Sequence, residues 1–148
     1  MSSNFPSQSE TFVAVVIPCF QVRRYIIDVL CNLGPEVHRI YVVDDACPEG
    51  TGDFVEGMCN DSRVTILRHE KNVGVGGAML TGYKQAVADG AQIIVKVDGD
   101  GQMDTSLITD LLEPVLLGEA DYSKGNRFYG IEGLRGMPIS RMVGNSLL

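Results

Sequence analysis

Two aspartates one residue apart, at the end of an apolar run, carry the clearest chemical signal in this chain. Val95-Lys96-Val97-Asp98-Gly99-Asp100-Gly101-Gln102 reads as a buried strand that stops abruptly in acids. Glycines 99 and 101 let the backbone turn sharply and let a ligand approach closely. Carboxylate oxygens on a tight turn suit a hard divalent ion such as Mg²⁺ or Mn²⁺, which usually shares its coordination sphere with substrate phosphates. An isolated Asp-Gly-Asp is more often a solvated turn, so its surroundings decide.

Strand and helix signals alternate around it. Thr11–Ile17 is a β-branched run stopped by Pro18, as in a central parallel strand. Val22–Leu33 has apolar residues at helical spacing and ends at Gly34-Pro35. Arg39–Val43 is a second strand, followed by Asp44-Asp45; Thr51–Cys59 is a short helix; Val64–Leu67 is a third strand. A glycine-rich turn, Asn72–Gly77, leads into a helix through Ala88, then come strand Ile93–Val97, helix Thr105–Leu117 and a candidate fifth strand, Asp121–Asn126. This alternation predicts a mostly parallel sheet with helices on both faces.

Ligands of such sheets bind beyond the carboxyl ends of the strands. Those ends carry Pro18–Gln21, Asp44-Asp45, His69–Asn72 and Asp98–Asp100. Two acidic pairs on one rim repel unless a metal or a hydrogen-bond donor lies between them.

Each motif has a plain alternative. Gly74-Val75-Gly76-Gly77-Ala78 is not a dinucleotide fingerprint, because the third glycine position falls on Met79, and no phosphate-binding Gly-Lys-Ser/Thr occurs. It is either a helix start packed close to the sheet or a row of N–H groups facing a diphosphate. Asp44-Asp45 either caps the segment after the second strand or accepts hydrogen bonds from a base or ribose. His38 reads as structural, and His69 carries no assigned role. Near the C-terminus Lys124, Arg127, Arg135 and Arg141 face only Glu132; they form either a solvated basic surface or a cluster that meets phosphate. Paired carboxylates on one turn, rather than across a cleft, argue against glycoside hydrolysis.

Composition sets limits. The 148 residues are 45% hydrophobic and 21% charged, enough for one domain with a real core. A net charge of −7 argues against nucleic acid as a partner. Cys19, Cys31, Cys47 and Cys59 have no metal-binding spacing, and a chain with this core needs no disulfides, so reduced thiols and a cytoplasmic setting are expected. Met1–Glu10 reads as a frayed polar tail rather than a signal peptide. No apolar run is long enough to span a bilayer.

Five motifs in order, Val16-Ile17-Pro18-Cys19-Phe20, Val42-Val43-Asp44-Asp45, Asn72-x-Gly74-x-Gly76-x-Ala78, Asp98-Gly99-Asp100-Gly101-Gln102 and Gly125-Asn126-Arg127, resemble family 2 glycosyltransferases of the GT-A fold. Within them the chain looks most like the dolichyl- or polyprenyl-phosphate mannose and glucose synthases, over about residues 12–145. The resemblance implies a three-layer α/β/α sandwich over residues 11–148, incomplete at its C-terminus because family members continue into acceptor-binding and membrane-associated elements. It implies an inverting, metal-dependent hexosyl transfer from a GDP- or UDP-sugar to an acceptor, a lipid phosphate, at the cytoplasmic face of a membrane. Pro18 and Phe20 would line the nucleotide pocket, and Asp45, with Asp44, would hold the base or ribose. Gly76 would lie near the donor; Asp98 and Asp100 would hold Mg²⁺ or Mn²⁺ and the donor sugar; Gln102 would complete their loop; Arg127 would meet donor or acceptor phosphate. Two departures stand out: Gln21-Val22 follows Phe20 where the family usually has Asn and an acid, and Ala46-Cys47 follows Asp45 where it usually has Gly-Ser.

Overall fold

The computed structural model describes residues 11–125. The expected tail Met1–Glu10 lies outside them, as do Asn126, Arg127, Glu132, Arg135 and Arg141. The chain forms two compact units, Met1–Thr109 and Asp110–Leu148.

Strands β1 (Val13–Cys19), β2 (Arg39–Asp44), β3 (Val64–Arg68) and β4 (Ile93–Lys96) make one parallel sheet in the order β3-β2-β1-β4. Helices α1 (Ile26–Cys31), α2 (Thr51–Met58) and α3 (Gly74–Ala88) connect them. The order reverses between β1 and β4, which creates the switch point at which open α/β sheets bind ligands.

Pro18 does not stop β1; it stops only one of its two ladders. Backbone direction alternates along a strand, so Val16 O accepts from Val97 N on the β4 side, while Cys19 O accepts from Asp45 N on the β2 side. The Pro18 nitrogen therefore points towards β4, where the pairing ends at Val16↔Lys96. Pairing with β2 continues through Pro18↔Val43 to Cys19↔Asp44. The strand ends thus part above the β1–β4 seam.

Side-chain alternation builds the two faces. Ala14 and Val16 of β1, with Tyr41 and Val43 of β2, pack against Ala78, Met79 and Ala86 of α3. On the opposite face, Gly52 of α2 sits against Asp44 and Ile66, and α1 packs beside α2. α3 is pinned to β2 near its C-terminal end, where the Tyr41 hydroxyl donates to Asp89 Oδ2 at 2.6 Å. The glycine-rich segment is itself the first turn of α3, and Gly82 shows why the helix needs small residues: an added Cβ would collide with Val16 Cγ1.

Three further expectations change. The first helix starts at Ile26 rather than Val22, because Gln21 has φ +57° and Val22–Tyr25 form turns closed by Tyr25 N and Ile26 N on Val22 O. Residues 121–125 form no strand; Asp, Ser, Lys and Gly there are poor strand formers, and the stretch lacks alternating burial. The helix expected over Thr105–Leu117 is a 3₁₀ turn, Thr105–Leu107, followed by α4 (Ile108–Leu116). All four cysteines are free thiols.

Gly82→Ala should lower stability by about 1–3 kcal/mol through overpacking, more than the roughly 1 kcal/mol gained from helix propensity. A urea midpoint equal to or above that of the wild type would show that α3 does not depend on its close seat on Val16.

Candidate functional site

A cavity of about 440 Å³ opens at the β1–β4 switch point. Its walls come from three strand ends and one helix start: Pro18 to Phe20 at the end of β1, Asp45 after β2, Asn72, Gly74, Val75 and Ala78 around the start of α3, and Asp98 to Asp100 after β4. Pro18, Phe20, Asp45, Asp98 and Asp100 are therefore brought together. Asp44, Gly76 and Gln102 are not among the residues lining this cavity, and Arg127 lies outside the described residues.

The two adjacent aspartates of β2 face different structures. Asp44 is 7% exposed and accepts from Cys47 N at 2.8 Å and Gly52 N at 2.6 Å, so it caps the start of α2. Asp45 is 3% exposed and faces α3. Its Oδ1 accepts from Val73 N at 2.9 Å and pairs with His69 Nδ1 at 2.7 Å; its Oδ2 accepts from Gly74 N at 2.8 Å. Burial raises its pKa, but the donors from His69, Val73 and Gly74 outweigh burial and hold the carboxyl below the usual carboxylate range. The opening N–H groups of α3 are thus directed at Asp45.

Asp98 and Asp100 are separately compensated. Lys96 Nζ lies 2.6 Å from Asp98 Oδ1, and Asp100 Oδ1 accepts from Gln102 N at 3.0 Å. The repulsion expected between the two acidic pairs is therefore answered carboxylate by carboxylate, by lysine, histidine and backbone donors. Gly101 takes φ +74°, the left-handed geometry the turn requires. Gly99 is needed for packing: an added Cβ would lie 3.0 Å from Val22 Cγ2.

Among the described residues, no group of three or more His, Cys, Asp or Glu side chains converges in metal-binding fashion. Two carboxylates on the cavity wall nevertheless fit Mg²⁺ or Mn²⁺, since such ions are commonly held by one or two carboxylates with substrate phosphates and water completing the sphere. Phe20 is 44% exposed at the mouth and presents an aromatic surface.

The family model described as "Glycosyl transferase family 2" matches residues 14–146. The chain belongs to glycosyltransferase family 2. It is 28% identical to the UDP-N-acetylglucosamine–dolichyl-phosphate N-acetylglucosaminyltransferase of Methanococcus voltae, an alignment covering 93% of this chain and 60% of that protein. It is 31% identical to the polyprenol monophosphomannose synthase of Mycolicibacterium smegmatis, covering 87% of this chain and 50% of that protein. The chain thus spans 50–60% of the length of these two relatives. The structure of S. aureus TarS 1-349 in complex with UDP-GlcNAc superposes with a TM-score of 0.61 at 22% identity, over 82% of this chain and 37% of that one. This likeness establishes the GT-A fold.

For a family 2 member, the two departures from the usual motifs fall at telling positions. Gln21 (φ +57°) and Ala46 (φ +52°) are the two non-glycine residues with positive φ among those described. Asn and Gly, usual there in the family by the resemblance, tolerate that conformation best. Cys47 Sγ accepts from Gln21 N at 3.1 Å, which ties the two strained loops together. Lys96 and His69 have no role legible in the sequence, yet each holds a carboxylate of the cavity wall. The signal for Lys96 was a charge interrupting an apolar strand two residues before Asp98; for His69 it was a place at a strand end on the ligand rim.

The strained loop and the buried carboxylate each make a measurable difference to stability. Ala46→Gly should stabilise the fold by about 1 kcal/mol, since relief of left-handed strain exceeds the added unfolded-state entropy; an unchanged or lower urea midpoint would contradict it. Asp45 contributes to the response to acid. The unfolded-state aspartate titrates near about 3.9 and folded Asp45 below that, so its stabilisation is present above the unfolded value and is lost as pH falls through the folded one. The stability of Asp45→Asn should therefore fall less steeply between about pH 5 and pH 2 than that of the wild type, and parallel curves would remove Asp45 from the acid transition.

Proposed function

We propose that this chain is the donor-binding part of a glycosyltransferase that moves a hexose from a nucleotide-diphospho-sugar to a polyprenyl phosphate, with inversion and with a divalent metal. One observation carries the reading: Pro18 and Phe20, Asp45, and the Asp98–Asp100 turn line a single cavity at the sheet's switch point. The names of relatives that act on dolichyl phosphate and on polyprenol, and a structural neighbour's complex with UDP-GlcNAc, support the donor and acceptor classes.

The roles follow from the chemistry of the residues. Asp45, charged and already fixed by three donors, accepts an N–H or hydroxyl hydrogen from the nucleoside. Phe20 offers its exposed ring beside it. Asp98 and Asp100 would hold the metal, which would supply positive charge beside the diphosphate. Lys96 balances Asp98 in the structure and supplies a cation next to the same group. Arg127 is assigned to donor or acceptor phosphate. A phosphate monoester acceptor, with a second pKa of about 6, is largely dianionic at neutral pH and needs little help from a general base. It attacks the anomeric carbon opposite the leaving diphosphate, forming the new C–O bond as the old one breaks, which inverts the configuration.

A second reading is favoured by length. Because the chain spans 50–60% of the two relatives, it would bind the nucleotide sugar without being competent for transfer alone. Calorimetric titration with UDP- and GDP-sugars in Mn²⁺, paired with a transfer assay on a polyprenyl phosphate, separates the two. Metal-dependent binding with transfer supports the first reading; binding without transfer supports the second; no binding overturns both. Asp100→Ala should abolish transfer and weaken metal-dependent donor binding, and normal turnover in that variant would remove the metal role from the turn.

A further inference from the structure

We infer that His69, supported by Thr81, is a positioning residue that presents Asp45 to the donor as a single hydrogen-bond acceptor, which favours uridine over guanosine nucleotides. The inference rests on Asp45 contacting the base of a nucleotide sugar, as proposed above. It adds a residue and a base preference to that role.

The side chains form a short relay. His69 lies one residue beyond β3, where its N–H donates to Asp44 O at 2.9 Å and extends the ladder. Its Nδ1 is 2.7 Å from Asp45 Oδ1 and its Nε2 is 2.9 Å from Thr81 Oγ1, in the middle of α3. An ionised carboxylate only accepts, so Nδ1 carries the proton; in the neutral ring Nε2 then accepts from the Thr81 hydroxyl. One imidazole therefore links a strand end, a buried carboxylate and a helix. With its side chain 15% exposed, it has little water to replace either partner.

Acceptor capacity gives the chemical consequence. A carboxylate offers about four lone-pair sites. Val73 N–H and His69 Nδ1–H occupy Oδ1, and Gly74 N–H occupies one site on Oδ2. One site on Oδ2 is left. Uracil presents a single imino N–H between two carbonyls, which matches one acceptor. Guanine presents an imino N–H and an amino group side by side and needs two. Recognised by this carboxylate, guanine would leave a donor unpaired at the cavity wall, a costly arrangement away from water. If His69 were absent, Oδ1 would regain a free site and the carboxylate could turn.

The experiment is titration of UDP and of GDP into the full chain in Mn²⁺, comparing wild type with His69→Ala, His69→Asn and Thr81→Val. Wild type should prefer UDP. His69→Ala should lose about tenfold or more in UDP affinity, the scale of one hydrogen bond to a charged group, and its UDP-to-GDP preference should shrink. His69→Asn, which keeps an N–H donor near the Nδ1 position, should restore much of the preference, and Thr81→Val should fall between. Urea denaturation establishes that each variant is folded; if His69→Ala is not, Thr81→Val carries the comparison. Equal loss for both nucleotides would mean a structural role only and overturns the inference. A wild type that binds UDP no better than GDP overturns it while leaving the donor site standing. A wild type that binds neither nucleotide overturns the donor site itself, and the inference with it.

Discussion

A buried negative charge organises this molecule. Asp45 lies at the end of β2, almost without solvent, and its cost is met by local donors rather than by an arginine or lysine. Two of them are the opening N–H groups of α3, which also bring the positive end of the helix dipole to the carboxylate. The interaction serves both partners. Val73, which precedes the first residue of α3, makes no side-chain cap bond of its own, so Asp45 supplies the cap from a distant strand, with Asn72 Oδ1 a second acceptor for Gly74 N–H. Removing the carboxylate would leave the Val73 N–H without its acceptor; removing the helix would leave a charge stranded.

Topology turns that contact into a site. α3 must cross from β3 at one edge of the sheet to β4 on the far side of β1, and it does so over the face built by Ala14, Val16, Tyr41 and Val43. Its first turn then lies above the strand ends, near the point where the strand order reverses. Pro18 contributes by lacking an N–H in the direction of β4, so the β1–β4 ladder ends while the β1–β2 ladder runs on. The chain after β4 is released into the Asp98–Asp100 turn just where β1 remains held, and the cavity occupies the resulting gap.

The sheet was legible because its signals are local. β-branched runs of four to seven residues mark each strand to within about two residues, as they did for Val64–Arg68 and Ile93–Lys96. The distinct duties of Asp44 and Asp45 were not legible. Neighbours on a strand point to opposite faces, and which face carries α2 and which α3 is set by the crossover, not by the residues themselves. The glycines near α3 posed the same difficulty. Gly82 looks like any helix glycine until Val16 is placed beneath it, and at Gly76, which the resemblance puts near the donor, an added Cβ would meet nothing within 4 Å. The strain at Gln21 and Ala46 left a trace in sequence only as two departures from a family pattern.

The electrostatics of the rim follow from the same arrangement. Four aspartates at the ends of β2 and β4 would be a strongly repulsive cluster if all faced one solvent gap. Instead Asp44 is turned beneath α2, Asp45 is held by α3 and His69, and Asp98 is held by Lys96. Among the described residues no buried side-chain polar atom lacks a partner. Uncommitted carboxylate capacity is therefore concentrated on the Asp98–Asp100 turn, where the Lys96 pair is half exposed and hence weak. Under the proposed function, a divalent ion accompanying a diphosphate would displace such a partner at small cost, whereas the bonds that fix Asp45 are buried and would resist exchange. The rim thus divides into a rigid portion suited to a constant group such as a nucleoside and an exchangeable portion suited to charge that arrives and leaves.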